Sequence, residues 1–163
     1  MKEHPIKVVV DGEEVVASVE ARRTLADFLR IDVGRTGVHL GCEHGVCGAC
    51  TVIVDGDAIR SCLMFAVQAN GTSITTLQGV AAADGTLHPV QDALHEEHGL
   101  QCGFCTPGIV MTLVAIMNKD PHPSTSTLRQ ALSGHLCRCT GYQGILRAVE
   151  RLGTADSGSK GTQ

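Results

Sequence analysis

The sequence predicts an α+β protein made of two unlike halves. In the first half, short runs rich in β-branched residues surround a single helix, whereas every periodic segment after residue 85 reads as helical. The eight cysteines fall into two sets with different spacings, one in each half. Aromatic residues make up only 2% of the 163 residues and Trp is absent, so large rings supply little of either core. Small domains with thin cores often depend on metals or cross-links, and the cysteines are the candidates for that role here.

The elements follow in order. Ile6–Val10 and Glu14–Val19 are strand-like runs separated by Asp11-Gly12, a two-residue hairpin signal. Thr24 then stands as the cap of a short helix whose apolar residues Leu25, Phe28 and Leu29 recur at helical spacing. A Gly-punctuated stretch from Gly34 to Gly48 carries the first cysteines. Thr51–Val54 and Ala58–Cys62, joined around Asp55-Gly56, predict a second hairpin, and Ser73–Leu77 a further strand. These elements define a first domain over residues 1–78, with a small, polar linker over 79–89.

Downstream, Pro89 opens a helix carrying Val90, Ala93 and Leu94. Thr106-Pro107 has the form of an N-cap followed by proline at the first helical position. The helix it opens, over 108–118, is apolar almost all round and is therefore expected to be buried. Pro121 and Pro123 end it, Ser126 is placed to cap the next helix and Gly134 to stop it. Ile145, Leu146, Val149 and Leu152 share one face of the last helix. The second domain thus spans 90–152, followed by a Gly-, Ser- and Thr-rich tail over 153–163, expected to be mobile.

A net charge of -4 and the absence of a basic run give no electrostatic reason to expect nucleic-acid binding. The apolar stretch near the N-terminus is too short for a signal-peptide core or a membrane span, so the chain reads as cytoplasmic. In that compartment clustered cysteines are metal ligands more often than disulfides.

Cys42, Cys47 and Cys50 form C-x4-C-x2-C, and Cys62 follows on a predicted strand. The C-x4-C-x2-C run with a distant fourth cysteine is the spacing of plant-type [2Fe–2S] ferredoxins. Two irons bridged by two sulfides need four thiolates in two pairs. One loop supplies three of them by wrapping the cluster, and a neighbouring element supplies the fourth. Gly41, Gly45 and Gly48 allow such a loop, and its N–H groups can then point at sulfur. The competing reading, a zinc site or a disulfide pair, fits less well, because structural zinc favours two close pairs.

The second set, Cys102-x2-Cys105 and Cys137-x-Cys139, is ambiguous by spacing, since two close pairs also suit zinc. Placement beside predicted helix N-termini favours an anionic cluster.

Three segments together carry a family resemblance: Gly41 to Val52 (GCEHGVCGACTV), Gln101 to Gly108 (QCGFCTPG) and Leu136 to Tyr142 (LCRCTGY). They resemble the iron–sulfur small subunit of the molybdenum hydroxylases, the xanthine dehydrogenase family. The resemblance covers about residues 5–152, with all eight cysteines in order. It implies a β-grasp, plant-type ferredoxin-like domain followed by a four-helix bundle, each holding one [2Fe–2S] cluster. It further implies that Gln101 and Cys139 contact the pterin of a molybdenum cofactor bound by a large subunit. Electrons would then enter through the bundle cluster and leave through the ferredoxin-like cluster towards FAD on a medium subunit, or another acceptor. On this reading the chain is a non-catalytic electron-transfer subunit in a hetero-oligomer.

The competing functions are a free-standing two-cluster ferredoxin and a zinc-stabilised module with a single true cluster. His44 reads as a solvent-facing or hydrogen-bonding group within the first loop, and His95 and His98 as surface residues. Arg138, between two candidate ligands, reads equally well as a charge partner or a solvated side chain. No Ser–His–Asp or paired-carboxylate arrangement stands out.

Overall fold

The computed structural model describes residues 2–154 of the chain. Asp11-Gly12 turns with both residues at positive φ, 52° and 85°, the geometry that matches the twist of the strands it joins. It links β1 (Glu3–Val10) to β2 (Glu13–Glu20), antiparallel with Val8 opposite Val15. Asp55-Gly56, at 48° and 89°, does the same between β3 (Thr51–Val54) and β4 (Asp57–Arg60). A short β5 (Ser73–Thr75) runs parallel to β1 and antiparallel to β3, which completes the order β2-β1-β5-β3-β4.

Two strands stop earlier than the sequence suggests, each for a local reason. The Ser61 N–H and hydroxyl both donate to the Cys50 carbonyl, at 3.3 and 2.6 Å, and turn the chain into one 3-10 turn, Ser61–Leu63. Cys62 therefore sits in a turn and not at a strand end. Thr76 is drawn out of the ladder because its N–H and hydroxyl both donate to the Asp11 carboxylate, each at 2.7 Å.

Thr24 caps α1 (Leu25–Asp27) as expected, its hydroxyl oxygen accepting from the Asp27 N–H at 3.0 Å. The chain then widens into π-helical turns over Phe28–Asp32. Leu25, Phe28 and Leu29 are fully buried, packed with Ile6, Val8 and Val10 from the inner face of β1.

The helical half comprises α2 (Pro89–Glu96), α3 (Thr106–Lys119), α4 (Thr125–Leu132) and α5 (Gln143–Leu152). α3 is buried without a break from Pro107 to Ala115, in agreement with its all-round apolar sequence. Two caps differ from expectation by one or two residues. Cys105, not Thr106, caps α3, because the Ile109 N–H reaches the Cys105 carbonyl at 3.2 Å. Ser124, not Ser126, caps α4, its Oγ accepting from the Thr127 N–H at 3.1 Å. Of the expected tail, Gly153 and Thr154 are tied back to the start of α4, the Thr125 N–H donating to the Thr154 carbonyl at 3.1 Å. The rest, 155–163, lies outside the described residues.

β3 joins the two halves. Val52 and Val54 belong to the sheet's own core, while Ile53, on the opposite face, enters the helical core with Ile109, Leu113 and Ile145. A strand buried on both faces explains why Thr51–Val54 lacks the alternation seen in β1.

α2 carries a pH-sensitive cap. His88 Nδ1 accepts from the Val90 N–H at 3.2 Å, while Gln91 Oε1 accepts from the His88 N–H at 3.0 Å. Burial holds the His88 imidazole below the ordinary histidine range. A group whose folded pKa is depressed contributes stability that is fully present above its unfolded pKa and lost as pH falls through the folded one. Acidification below the ordinary histidine range is therefore expected to cost α2 its cap, about 1 kcal/mol. Hydrogen exchange of segment 89–96 in the holoprotein should speed up on acidification, and His88→Asn, which caps without titrating, should remove most of that response. An equal response in both proteins would contradict the assignment.

Candidate cluster sites

Cys42, Cys47 and Cys50 lie on one loop that Gly45 and Gly48 make possible, both at positive φ (83° and 80°). Gly41 serves differently. A Cβ there would lie 3.2 Å from the Phe104 ring and 3.4 Å from Cys47 Sγ, so glycine lets the Phe104 ring pack closely against the loop. The loop turns its N–H groups inward: Cys47 N lies 3.4 Å from Cys42 Sγ. Donation from His44 and then Cys47 pulls the Cys42 thiol down to about 6. Burial pushes the Cys62 thiol up to about 11, with Cys50 beside it adding to the rise. Cys42 is thus readily a thiolate, whereas Cys62 ionises only where a positive charge awaits it.

The second set is braced by Tyr142, the single tyrosine of the chain. Its hydroxyl accepts from the Cys137 N–H at 2.8 Å and donates to the His135 carbonyl at 3.2 Å. Cys105 caps α3, so its thiol sits at the positive end of a long helix. α5 starts only at Gln143, which leaves Cys137 and Cys139 in the loop before it. Cys102 Sγ and Cys139 Sγ are 3.4 Å apart. Burial, and then the neighbouring Cys137, push the Cys105 thiol up to about 12. The Phe104 N–H and then Cys139 draw Cys102 down.

Each set therefore resolves into two neighbouring pairs: Cys42 with Cys47 and Cys50 with Cys62, then Cys102 with Cys139 and Cys105 with Cys137. All eight are free thiols. Among the described residues, no three His, Cys, Asp or Glu side chains gather so as to hold one metal ion. Four thiols in two pairs, with N–H groups aimed at sulfur, suit a pair of bridged irons.

The two sets meet across a tight seam. The Leu136 N–H donates to the Cys47 carbonyl at 3.0 Å, which ties the residue before Cys137 to a cysteine of the first loop. A Cβ on Gly108 would lie 2.1 Å from the Gly48 carbonyl oxygen, so α3 and the first loop touch backbone to backbone. His39 stacks on Phe104, with ring centroids 5.0 Å apart, and its Nδ1 is 2.9 Å from the Phe104 carbonyl oxygen. His135 is 2% exposed, with Nε2 2.8 Å from Thr112 Oγ1, and burial followed by the Arg60 charge lowers its pKa to about 4.

Sequence reasoning missed this seam. Phe104 offered one signal, as a scarce aromatic between the cysteines of C-x2-C, whereas Arg60 and His135 become notable only once the halves are packed together.

Gln101, Cys102 and Cys139 are all exposed, and with the Cys102–Cys139 contact they form one patch of surface. Large apolar side chains surround both sets: Leu100, Phe104 and Leu136 by the second, Val46 and Leu63 by the first, each at least 41% exposed. His44 is exposed and turns its Nδ1 to the Cys42 carbonyl, so it both faces solvent and hydrogen-bonds. It stands two residues after Cys42, but that contact directs this nitrogen to the backbone. His95, His98 and Arg138 are exposed. Among the described residues, no helix is long and apolar enough to cross a membrane.

Comparison with known proteins matches a 2Fe-2S iron-sulfur cluster binding domain over residues 8–75 and a [2Fe-2S] binding domain over 76–150. The chain is 52% identical over 153 residues to caffeine dehydrogenase subunit gamma of Pseudomonas sp. (strain CBB1), covering 92% of this chain and 91% of the relative. It is 51% identical over 144 residues to the nicotine 6-hydroxylase small subunit of Paenarthrobacter nicotinovorans, covering 88% and 86%. Among solved structures, a chain of quinoline 2-oxidoreductase from Pseudomonas putida 86 superposes with a TM-score of 0.86 at 46% identity, over 91% of each chain.

Proposed function

We propose a role that follows from the family to which the chain belongs, the small iron–sulfur subunits of the molybdenum hydroxylases: it carries electrons, one at a time, out of a substrate-oxidising partner. The observation that carries this reading is the seam, which brings two four-thiol sites into direct backbone contact.

Cys42 with Cys47, and Cys50 with Cys62, would each hold one iron of the first cluster. Cys102 with Cys139, and Cys105 with Cys137, would hold the second. Each cluster, when bound, supplies a site that takes up and releases a single electron. The chain's own part is to orient the thiolates, donate N–H groups to them and exclude water from their inner side. We assign residues 1–78 to a β-grasp ferredoxin-like domain and 90–152 to a four-helix bundle, with 79–89 between them.

Gln101 and Cys139 would meet the pterin of a molybdenum cofactor on a large subunit, which makes their patch the entrance for electrons. The first loop, rimmed by Val46 and Leu63, would face FAD on a medium subunit or another acceptor. Exposed apolar residues beside both sets support permanent burial in a hetero-oligomer over the life of a freely diffusing carrier. We assign this assembly to the cytoplasm.

The relatives are named for caffeine, nicotine and quinoline, all nitrogen heterocycles, and we propose that class of substrate for the complex. In such a reaction a ring carbon exchanges hydrogen for a hydroxyl drawn from water. Two protons and two electrons are released, and this chain passes the electrons on singly. The test is anaerobic addition of a panel of nitrogen heterocycles and simple aldehydes to the purified complex. Bleaching of the visible iron–sulfur absorbance by a heterocycle is expected. Bleaching by aldehydes alone would overturn the substrate class, and absence of a molybdenum-containing partner would overturn the assembly.

A further inference from the structure

The seam contains one cation that the proposed route leaves unused. Arg60 ends β4, two residues before Cys62. Its guanidinium forks: Nη1 donates to Thr51 Oγ1, next to Cys50, and Nη2 donates to the Gly134 carbonyl at 2.9 Å, three residues before Cys137. Thr51 passes the connection on, its hydroxyl donating to the Gly48 carbonyl at 2.6 Å within the first loop. One side chain thus grips both cysteine loops.

The partners of Arg60 are all neutral oxygens. Arg23, Arg35, Arg129, Arg147 and Arg151 each pair with a carboxylate, but none within ion-pair distance is found for Arg60 among the described residues. Its charge is therefore not cancelled locally. Arg60 is partly buried, so solvent screens its field less than that of a surface cation.

We infer that Arg60 is a shared positioning residue of the electron route, clamping the two cysteine loops together and, through its uncompensated charge, raising the reduction potential at both sites. The inference rests on the two-cluster reading of the chain. The physical reason is direct: each site gains negative charge on reduction, and a fixed cation between the two favours the reduced form of both. Because it acts on both, it shifts them together and leaves the step between them nearly level.

The experiment is an EPR-monitored redox titration of the intact complex, comparing wild type with R60Q, R60M and R60K. Iron content is read first. Wild-type complex lacking about four irons per chain would sink the two-cluster reading itself, independently of Arg60. With iron in place, the two neutral variants are expected to lower the reduced-to-oxidised ratio of both signals about tenfold at a fixed potential, about 59 mV for a one-electron couple. R60K keeps the charge while losing the fork, and should stay within about twofold of wild type at both signals. Unmoved potentials in the neutral variants, movement of one signal alone, or an equal fall in R60K would overturn the inference. Loss of iron from all three variants would make Arg60 purely structural and overturn it as well.

Discussion

Serine in place of Cys139 is expected to strip the second cluster and to choke the exit of electrons from the complex. Cys139 is exposed, its sulfur lies 3.4 Å from that of Cys102, and it stands on the same patch as Gln101. The proposed entrance and one of the proposed thiolate pairs therefore depend on a single atom. Iron should fall from about four to about two per chain, with the signal of the first set retained. Turnover with the natural acceptor should drop about 100-fold or more, since loss of even a supporting group at a metal site costs that order. Retention of the first cluster is the discriminating part. Its thiols come from another loop, and Tyr142 and α3 separately brace the second. Unchanged turnover in C139S would mean that electrons leave by a different path.

Alanine at Gly108 is expected to damage both sites from a position that ligates nothing. The added methyl would stand 2.1 Å from the Gly48 carbonyl oxygen and 3.1 Å from the Ala49 Cα. Both obstacles are backbone, so no rotamer change relieves the clash, and α3 must withdraw from the first loop. That withdrawal strains the Leu136–Cys47 hydrogen bond and the Arg60 fork together. A cost of about 3 kcal/mol, at the upper end for overpacking, is expected in denaturant unfolding of the holoprotein. The magnetic coupling between the two reduced clusters should weaken as their separation grows. Wild-type stability with undiminished coupling would show that the halves do not rely on this contact.

What could be read in the sequence was local. Asp11-Gly12 and Asp55-Gly56 announced their hairpins because those residue types tolerate positive φ, and each turn has it. Pro107 marked the start of α3, and the helix's uninterrupted apolar character foretold its burial. Errors arose where two local choices were equivalent or where a distant partner decided the outcome. Ser124 and Ser126 are the same residue type, and only the Ser124 hydrogen bond to the Thr127 N–H selects the cap. Cys62 left its strand because Ser61 bonds to Cys50, eleven residues away. The seam was invisible for the same reason. Gly48 and Gly108 carry no periodic signal, and Arg60 reads as an ordinary strand-end cation until Gly134 is folded against it. The cysteine spacings named the candidate donors, whereas the arrangement that joins the two sets exists only in the folded chain.

The most direct test of the account is low-temperature EPR of the dithionite-reduced complex, with iron and molybdenum assayed on the same sample. Two distinct [2Fe–2S] signals of equal weight, about four irons per copy of this chain and molybdenum in the partner are the predicted result. A single signal with about two irons per chain would contradict it, and would leave one of the two cysteine sets without the cluster on which the electron route depends.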